Sequence, residues 1–365
     1  MQDKFNPHVA SFQKVSYAKE EEVSTLTLDC SDGCNPYGCS PAVMEALRQI
    51  QPHDIFEYPH GFDLKDAIIR CWEPYITLQR DMISYCDGSI DGIGMINGIF
   101  ARNGAKIVGV WPQFTDFAND AKTKGFVYEP IFLERSENYR IVPERIISSM
   151  DESVSLVYLD NPNNPTGQSI PLSSLTELLE RAKEKGIYVI VDEAYGEYLL
   201  PEDSAMTLLN SYDNLIVLRT FSKGLGLAGM RVGYIVASLP ITEHIEKISN
   251  PYCISTLGRK MAVAAIGDLP FIEKCREQTT QAKKKLRTAV GHHLHMAETL
   301  DSCSICFLWH DDTECDLAAA FASYGIKTVA GNGFEGMGSN SVRIRMPAAH
   351  QEEQFFRVIK ALNES

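Results

Sequence analysis

A chain of 365 residues with 44% hydrophobic and 22% charged residues has the composition of a soluble globular protein, and its length predicts one large domain with a smaller one beside it. Its formal net charge of −14 at pH 7 argues against nucleic acid or an anionic membrane as the partner, because both bind clusters of Lys and Arg. Since no apolar run reaches the roughly 18 to 20 residues that span a membrane, and the first residues lack the apolar segment of a secretory signal, the cytoplasm is the expected location.

From residue 86 to residue 238 the sequence alternates between helix and strand patterns. Apolar residues at helical spacing predict helices, and runs of apolar and β-branched residues predict strands. In chain order these are a helix over 95–100, strands over 106–110 and 154–159, a helix from Pro171 that ends before Gly186, and strands over 187–191, 215–218 and 234–237. Strands joined by helices at this spacing predict right-handed parallel crossovers, and therefore an α/β fold with a mostly parallel sheet.

The pattern changes after residue 250. A long charged helix is predicted over about 270–296, followed by strands over 304–309 and 342–346 and a last helix from about His350. We interpret residues 43–250 as the large domain. Residues 1–42 together with 251–365 are interpreted as a smaller α+β domain, to which the N-terminal segment returns.

The ten cysteines do not form a metal-binding pattern. Cys303 and Cys306 form a C-x-x-C, but no second C-x-x-C completes a zinc site, and the pair runs into a predicted strand. We therefore expect reduced cysteines in the protein core and no metal.

Three unlike reactive side chains follow predicted strands. Asn164, Asp192 and Lys223 come after the strands that end near residues 159, 191 and 218. A lone lysine at such a place is commonly solvated, and a lone aspartate commonly caps a turn or helix. Because open α/β sheets bind their ligands at the carboxyl ends of the strands, however, we expect these three side chains to converge on one rim.

The stretch RTFSKGLGLAGMRVGY (219–234) allows two interpretations. Gly224, Gly226 and Gly229 match the G-x-G-x-x-G turn of a nicotinamide dinucleotide site. That turn must be followed by a helix of about a dozen residues, whereas here a strand pattern resumes at Gly233. Lys223 explains more of the sequence, because an amine whose pKa is lowered by burial and cationic neighbours forms a Schiff base with an aldehyde. The small residues would then let the loop turn tightly beneath a phosphate.

The groups around Lys223 match the needs of pyridoxal phosphate. Arg231 suits a bidentate phosphate clamp, and Asp192 suits the partner of a protonated pyridine nitrogen. Hydrogen bonds to the phosphate or to the phenolic oxygen of the ring would come from Thr220, Ser222, Asn164 and Tyr195.

Three motifs carry a resemblance to a known family: NPNNPTG (161–167), DEAY (192–195) and SKGLGLAGMR (222–231). In this order and spacing they resemble the motifs of the fold-type-I pyridoxal-phosphate aminotransferases. Within these, the chain is most similar to the branch of histidinol-phosphate aminotransferases and threonine-phosphate decarboxylases, from about Leu28 to the C-terminus. The resemblance implies a large domain with a mostly parallel sheet flanked by helices, pyridoxal 5′-phosphate as the cofactor, and a homodimer.

The resemblance also implies roles for individual residues. Lys223 would hold the cofactor and move protons, with Asp192 and Tyr195 as the other catalytic residues. The cofactor would be bound by Ser89, Ile90, Phe114, Asn164, Asp192, Tyr195, Thr220, Ser222, Lys223 and Arg231. Tyr58 would reach the cofactor phosphate of the partner subunit, and the substrate would contact Arg343, Tyr37 and Asn164.

The N-terminal loop departs from the aminotransferase pattern. Histidinol-phosphate aminotransferases typically have N-E-N-P-x-G, whereas this chain has Cys34 in place of the acidic residue, and LDCSDGCNPYG (28–38) is more similar to the decarboxylases. The main hypothesis is transfer of an amino group between an amino acid or amino-acid-like, possibly phosphorylated, substrate and a keto acid. The alternative is decarboxylation of an amino acid on the same cofactor. A third hypothesis, a non-catalytic cofactor-binding module, is disfavoured because no basic DNA-binding segment flanks the motifs.

Overall fold

The computed structural model describes residues 4–17 and 26–364, so residues 1–3, 18–25 and 365 of the predicted smaller domain lie outside the described residues. The strands are β1 (Leu28–Asp29), β2 (Ile83–Cys86), β3 (Lys106–Trp111), β4 (Val127–Phe132), β5 (Val154–Asp160), β6 (Tyr188–Glu193), β7 (Leu215–Thr220), β8 (Gly233–Ala237), β9 (Leu294–Met296), β10 (Ile305–His310), β11 (Ile326–Lys327), β12 (Val329–Ala330) and β13 (Ser341–Arg345). The α-helices are α1 (Pro7–Ala10), α2 (Pro41–Arg48), α3 (His53–Phe56), α4 (Asp63–Trp72), α5 (Gly88–Phe100), α6 (Thr115–Thr123), α7 (Pro143–Ser148), α8 (Leu172–Glu184), α9 (Leu239–Glu246), α10 (Thr256–Ile266), α11 (Leu269–Ala289), α12 (Leu317–Ser323) and α13 (Glu352–Glu364).

A seven-stranded sheet forms the centre of the larger part, in the order β2-β8-β7-β6-β5-β3-β4. The neighbours from β7 to β4 are parallel, as the alternation of strands and helices predicts. Strand β8 is antiparallel to both β7 and β2. No α-helix lies between β7 and β8, and strands that are joined without a crossover pair in the antiparallel direction.

Both faces of this sheet are buried. Val189 and Val191 of β6 lie in one hydrophobic core with α8, whereas Ile190 lies in a second core with α5 and α6. Strands that are buried on both faces need apolar residues in succession, which explains their continuous apolar runs. The resulting three layers bring the carboxyl ends of β5, β6 and β7 to one edge.

The C-terminal part contains a four-stranded antiparallel sheet in the order β12-β13-β10-β9. It packs with α11, α12 and α13 around a hydrophobic core of its own. Strand β1 pairs in parallel with β11, so that Leu28 lies opposite Ile326, and the N-terminal segment thereby joins this part. The residue boundaries of the two predicted domains stay a prediction.

The helix predicted over 270–296 is too long. Helix α11 ends at Ala289, and Leu294–Met296 form β9, which pairs with β10. Gly291, with a φ of 115°, lies between the two elements in a backbone conformation that a helix cannot continue. Gly291 therefore marks the end of the helix, a signal that the charged residues on either side make hard to recognise in the sequence.

Among the described residues, no helix has both the length and the apolar character needed to cross a bilayer. All ten cysteines are free thiols. Cys303 and Cys306 are fully buried at either side of the start of β10, where they pack as small apolar side chains.

Candidate active site

A cavity of about 1030 Å³ lies at the carboxyl ends of β5, β6 and β7. Its other walls come from the start of α5, from the N-terminal segment and from the region of β11 to β13. Among the residues predicted from the sequence, those that line it are Ser89, Ile90, Phe114, Asn164, Asp192, Tyr195, Ser222, Lys223, Arg231 and Arg343. The structure thus brings Asn164, Asp192 and Lys223, which lie at or just beyond the ends of β5, β6 and β7, to one rim.

Three predicted residues lie outside the cavity of their own chain. Thr220 stands behind Ser222, and the two hydroxyl oxygens are 3.0 Å apart. Tyr37 packs toward α11, where burial raises the pKa of its hydroxyl to about 12. Tyr58 is 71% exposed and stacks on Tyr252, with 4.8 Å between the ring centroids. Contacts of these three residues with cofactor or substrate stay predictions.

Lys223 lies just beyond β7, with its Nζ 5.8 Å from the centre of the Tyr195 ring. Burial lowers the pKa of Lys223, and the charges of Arg343 and Arg231 lower it further, while Cys34 acts in the opposite direction. A lysine with a lowered pKa carries a larger neutral fraction near pH 7, and only the neutral amine is a nucleophile. The site therefore favours reaction of this amine with a carbonyl group.

Asp192 lies near the end of β6 and is 2% exposed. Its Oδ2 accepts a hydrogen bond from Tyr158 Oη at 2.9 Å, and its Oδ1 accepts one from the backbone N–H of Ala194 at 3.0 Å. Burial raises the pKa of Asp192 to about 7. A cationic group beside the carboxylate would lower this pKa again, so the position suits a ligand that carries a protonated nitrogen.

The hydroxyl of Tyr195 is a buried donor with no hydrogen-bond partner among the residues that the structure describes. Burial raises its pKa, so it keeps its proton. The hydroxyl lies against Gly33 of the N-terminal segment, where any side chain would overlap with it. Because an unsatisfied buried hydroxyl costs free energy, Tyr195 is available to donate to a ligand in the cavity.

Arg343 and Asn164 are joined across the cavity wall. Arg343 Nη1 donates to Asn164 Oδ1 at 3.0 Å, and Asn164 Nδ2 donates to Tyr17 Oη at 2.7 Å. Arg343 is 3% exposed, and its guanidinium carbon lies 4.6 Å from the centre of the Tyr17 ring. Arg345, on the same strand, instead donates to the carbonyl of Asp29. Arg343 is therefore the strand arginine that faces the cavity.

The start of α5 faces the cavity beside Arg231. Ser89 and Ile90 lie in the first turn of this helix, where free backbone N–H groups and the helix dipole favour an anion. Arg231 has a left-handed backbone conformation with a φ of 53°, and its Nη2 donates to the carbonyl of Asp87 at 3.3 Å. Gly88 has a φ of 68°, a left-handed conformation that favours glycine, and the Arg231 guanidinium lies against it.

The sequence model of the class I and II aminotransferases matches residues 27–362. The chain belongs to this family. A curated relative, the histidinol-phosphate aminotransferase of Geobacillus sp. (strain WCH70), is 32% identical over 273 residues, which cover 74% of this chain and 72% of the relative. The histidinol-phosphate aminotransferase of Bacillus subtilis (strain 168) is 34% identical over 249 residues, 67% of each chain.

Solved structures of similar aminotransferases share the fold. The histidinol-phosphate aminotransferase from Sinorhizobium meliloti, in complex with pyridoxal-5′-phosphate, has a TM-score of 0.83 at 19% identity and covers 100% of this chain and 98% of that chain. The one from Clostridium acetobutylicum has a TM-score of 0.82 at 22% identity, with 92% and 99% covered. The predicted fold-type-I architecture is confirmed, and the protein is an aminotransferase that uses pyridoxal 5′-phosphate.

Tyr17 and Asp160 are among the cavity-lining residues that are not predicted from the sequence. Tyr17 comes from the N-terminal segment, where no motif or periodicity marks it. Asp160 is the last residue of β5 and lies opposite Asp192 in the register of β5 and β6. A signal for Asp160 exists, because it is a carboxylate at the end of a predicted strand, as Asp192 is.

Proposed function

We propose that Lys223 is the amine that receives the aldehyde of pyridoxal phosphate, and that the enzyme transfers an amino group between an amine with a neighbouring anionic group and a keto acid. One observation carries this proposal: Lys223, whose pKa burial lowers, shares one cavity with Asp192 and Arg343. An amine, a carboxylate and an anion-binding guanidinium are the groups that this reaction needs.

The groups around the cavity fit the ring of pyridoxal phosphate. Tyr195, whose hydroxyl has no partner among the described residues, would donate to the oxygen on the ring, with the Asn164 amide beside it. Asp192 would accept the N–H of the ring nitrogen, and the positive charge there would offset the burial of the carboxylate. Phe114 would lie against the face of the ring.

The start of α5 fits the phosphate. Ser89, Ile90, Ser222 and Arg231 all line the cavity, and the backbone N–H groups of the first two and the side chains of the last two would hold the phosphate. Thr220 would act through Ser222, since their hydroxyl groups are within hydrogen-bond distance.

When bound, pyridoxal phosphate supplies an aldehyde carbon that carries the amino group and a ring that accepts the electron pair of the substrate α-carbon. Lys223 Nζ, whose lowered pKa increases its neutral fraction, would take the proton from that α-carbon and hold it until it is returned. Asp192 would hold a proton on the ring nitrogen. The buried positions of Asp192 and Tyr195 exclude water, which strengthens their interactions with the ring.

Arg343 supports an anionic group beside the reacting amine. Its guanidinium is almost fully buried and faces the cavity, and a buried cation needs a negative partner. The curated relatives are histidinol-phosphate aminotransferases, so the anion is either the phosphate of such a donor or the carboxylate of an α-amino acid. Those relatives also favour transamination over the decarboxylation considered as the alternative.

The experiment is a set of parallel assays on the purified protein loaded with pyridoxal phosphate. L-Histidinol phosphate, O-phospho-L-threonine and a panel of α-amino acids are each incubated with and without 2-oxoglutarate, and glutamate and CO₂ are measured. We expect glutamate to form only with the acceptor present, from a donor with a phosphate or carboxylate near its amine. Release of CO₂ without an acceptor would establish the decarboxylase instead, and a protein that neither binds the cofactor nor turns over any donor would contradict the proposal.

We also propose that the enzyme is a homodimer. Large apolar side chains within residues 53–62 are 56–74% exposed, namely Ile55, Phe56, Tyr58 and Phe62. Apolar side chains concentrated on one exposed stretch indicate a surface that another protein covers. In a symmetric dimer, the same stretch of both subunits would be buried at the interface. Tyr58 would then reach the phosphate end of the partner's cavity.

The cytoplasm is the proposed location. All ten cysteines are free, and five of them are only partly buried: Cys34, Cys39, Cys71, Cys253 and Cys315. Accessible thiols of this kind persist in a reducing compartment.

A further inference from the structure

Asp160 is a buried carboxylate in the cavity wall for which the proposed reaction has no use. It ends β5, is 4% exposed and lines the cavity, one strand away from Asp192. Burial raises the pKa of Asp160 to about 6. A second buried acid beside Asp192 costs free energy, and the hydrogen bonds of Asp160 offset this cost.

The carboxylate of Asp160 is the acceptor in each of its hydrogen bonds. Its Oδ2 accepts from the backbone N–H of Phe114 at 3.0 Å and from that of Asn164 at 2.9 Å, and its Oδ1 accepts from Asn163 Nδ2 at 2.8 Å. The Asn163 amide cannot reverse, because its Oδ1 accepts from the N–H and hydroxyl of Thr166. Both terminal atoms of this side chain therefore have to be acceptors. A carboxylate has two acceptor oxygens, whereas a carboxamide has one acceptor and one donor.

The two backbone partners of Asp160 belong to different loops. Phe114 follows β3 and precedes the first residue of α6, whereas Asn164 follows β5. Both side chains line the cavity, and that of Asn164 also contacts Tyr17 and Arg343. One buried carboxylate thus fastens together two loops that present side chains to the ligand.

We infer that Asp160 is a positioning residue of the cofactor site, which holds Phe114 against the face of the ring and Asn164 beside its oxygen. The inference rests on the proposed function, because it requires that these two side chains contact the cofactor. It separates the roles of the two neighbouring acids: Asp192 contacts the ring, and Asp160 acts through the backbone of the residues around it.

Asp160→Asn tests this inference, because it keeps the size of the side chain and replaces one acceptor by a donor. Whichever way the amide turns, a donor faces either the two backbone N–H groups or Asn163 Nδ2. We expect the dissociation constant for pyridoxal phosphate to rise roughly 10- to 100-fold, as for the loss of a hydrogen bond to a charged group. The visible circular dichroism of the bound cofactor should weaken, because the ring is no longer held at one angle. A loss of stability alone would not change that signal in folded protein.

Asp268→Asn is the matched control. The carboxylate of Asp268 also accepts from a backbone N–H, that of Phe271, and from a hydroxyl, that of Ser40, but it lies outside the cavity. This variant should bind the cofactor as the wild type does. An Asp160→Asn protein with the wild-type dissociation constant and dichroism would overturn the inference, and so would one that fails to fold, since Asp160 would then serve the fold. If the wild type and Asp268→Asn bind no cofactor, the proposed function itself fails.

Discussion

Asp192 makes the stability of the cofactor-free protein depend on pH. Burial raises its pKa in the folded protein to about 7, whereas an aspartate in an unfolded chain titrates near ~3.9. Because the folded state binds this proton more tightly, the group favours folding at low pH, and its contribution is lost as the pH rises from about 4 through about 7. A cation held against the carboxylate reverses this penalty, which is the electrostatic reason to bind a protonated ring there.

Asp192→Asn should separate the stability of the protein from its chemistry. The amide can donate to Tyr158 Oη and still accept from the N–H of Ala194, so it imitates the protonated acid. At pH 8 we expect the cofactor-free variant to be more stable than the wild type by roughly 2–4 kcal/mol, a difference that shrinks toward pH 5. Turnover should fall on the order of 10²–10³-fold, because the ring nitrogen loses its anionic partner.

Denaturant titrations of both cofactor-free proteins at pH 5 and pH 8, together with steady-state kinetics, check this prediction. A variant that is less stable than the wild type at pH 8 and retains its turnover would show that Asp192 has a purely structural role.

The strand-and-turn units that carry the site are predictable because they are local. The strands expected over 154–159, 187–191 and 215–218 occur as β5, β6 and β7, since each is an apolar run that is buried on both faces. Asn164 and Lys223 come a few residues after β5 and β7, and Asp192 lies near the end of β6. Parallel pairing then brings Asn164, Asp192 and Lys223 to one rim without further information.

The glycines of the loop after Lys223 also make contacts with distant segments that the local sequence does not predict. Gly226 has a φ of 72°, in agreement with a tight turn, but a Cβ there would also collide with the carbonyl of Gly38. A Cβ at Gly224 would meet the side chain of Glu197. These glycines thus permit packing against distant segments as well as the turn, and the pattern of glycines alone does not reveal such contacts.

Long-range contacts account for the parts of the site that the sequence does not predict. Tyr17 and Asn164 share a hydrogen bond although 147 positions separate them, and Arg343 reaches the same Asn164 from β13. Gly33 is required only because the Tyr195 hydroxyl lies against it. No periodicity or spacing in one sequence encodes these pairs, since they depend on how the N-terminal segment and the C-terminal part close over the rim.

The exposed apolar stretch over 53–62 leads us to predict the oligomeric state of the whole molecule. We expect the wild type to sediment as a dimer and Phe56→Asp to sediment as a monomer. Phe56 is 74% exposed in the single chain, and the carboxylate that replaces its ring would lose its water at the interface. The monomer should bind the cofactor more weakly, since Tyr58 of the partner subunit no longer reaches the phosphate.

Tyr324→Asp provides the control for sedimentation, because Tyr324 is a 51% exposed aromatic residue in the C-terminal part, away from this stretch. It should remain a dimer with normal cofactor affinity. Dimers that persist in Phe56→Asp, or a wild type that sediments as a monomer while fully loaded with cofactor, would rule out the proposed assembly.

The proposed role of Lys223 is tested most directly by identifying the lysine that holds the cofactor. The loaded enzyme is reduced with borohydride, which fixes the cofactor to the amine that carries it, and the modified peptide is identified by mass spectrometry. We expect a pyridoxyl group on Lys223, and a Lys223→Ala variant that gains no label and loses at least about 10³-fold in turnover. A label on another lysine, such as the buried Lys283 of α11, or full turnover by Lys223→Ala, would contradict the proposed role.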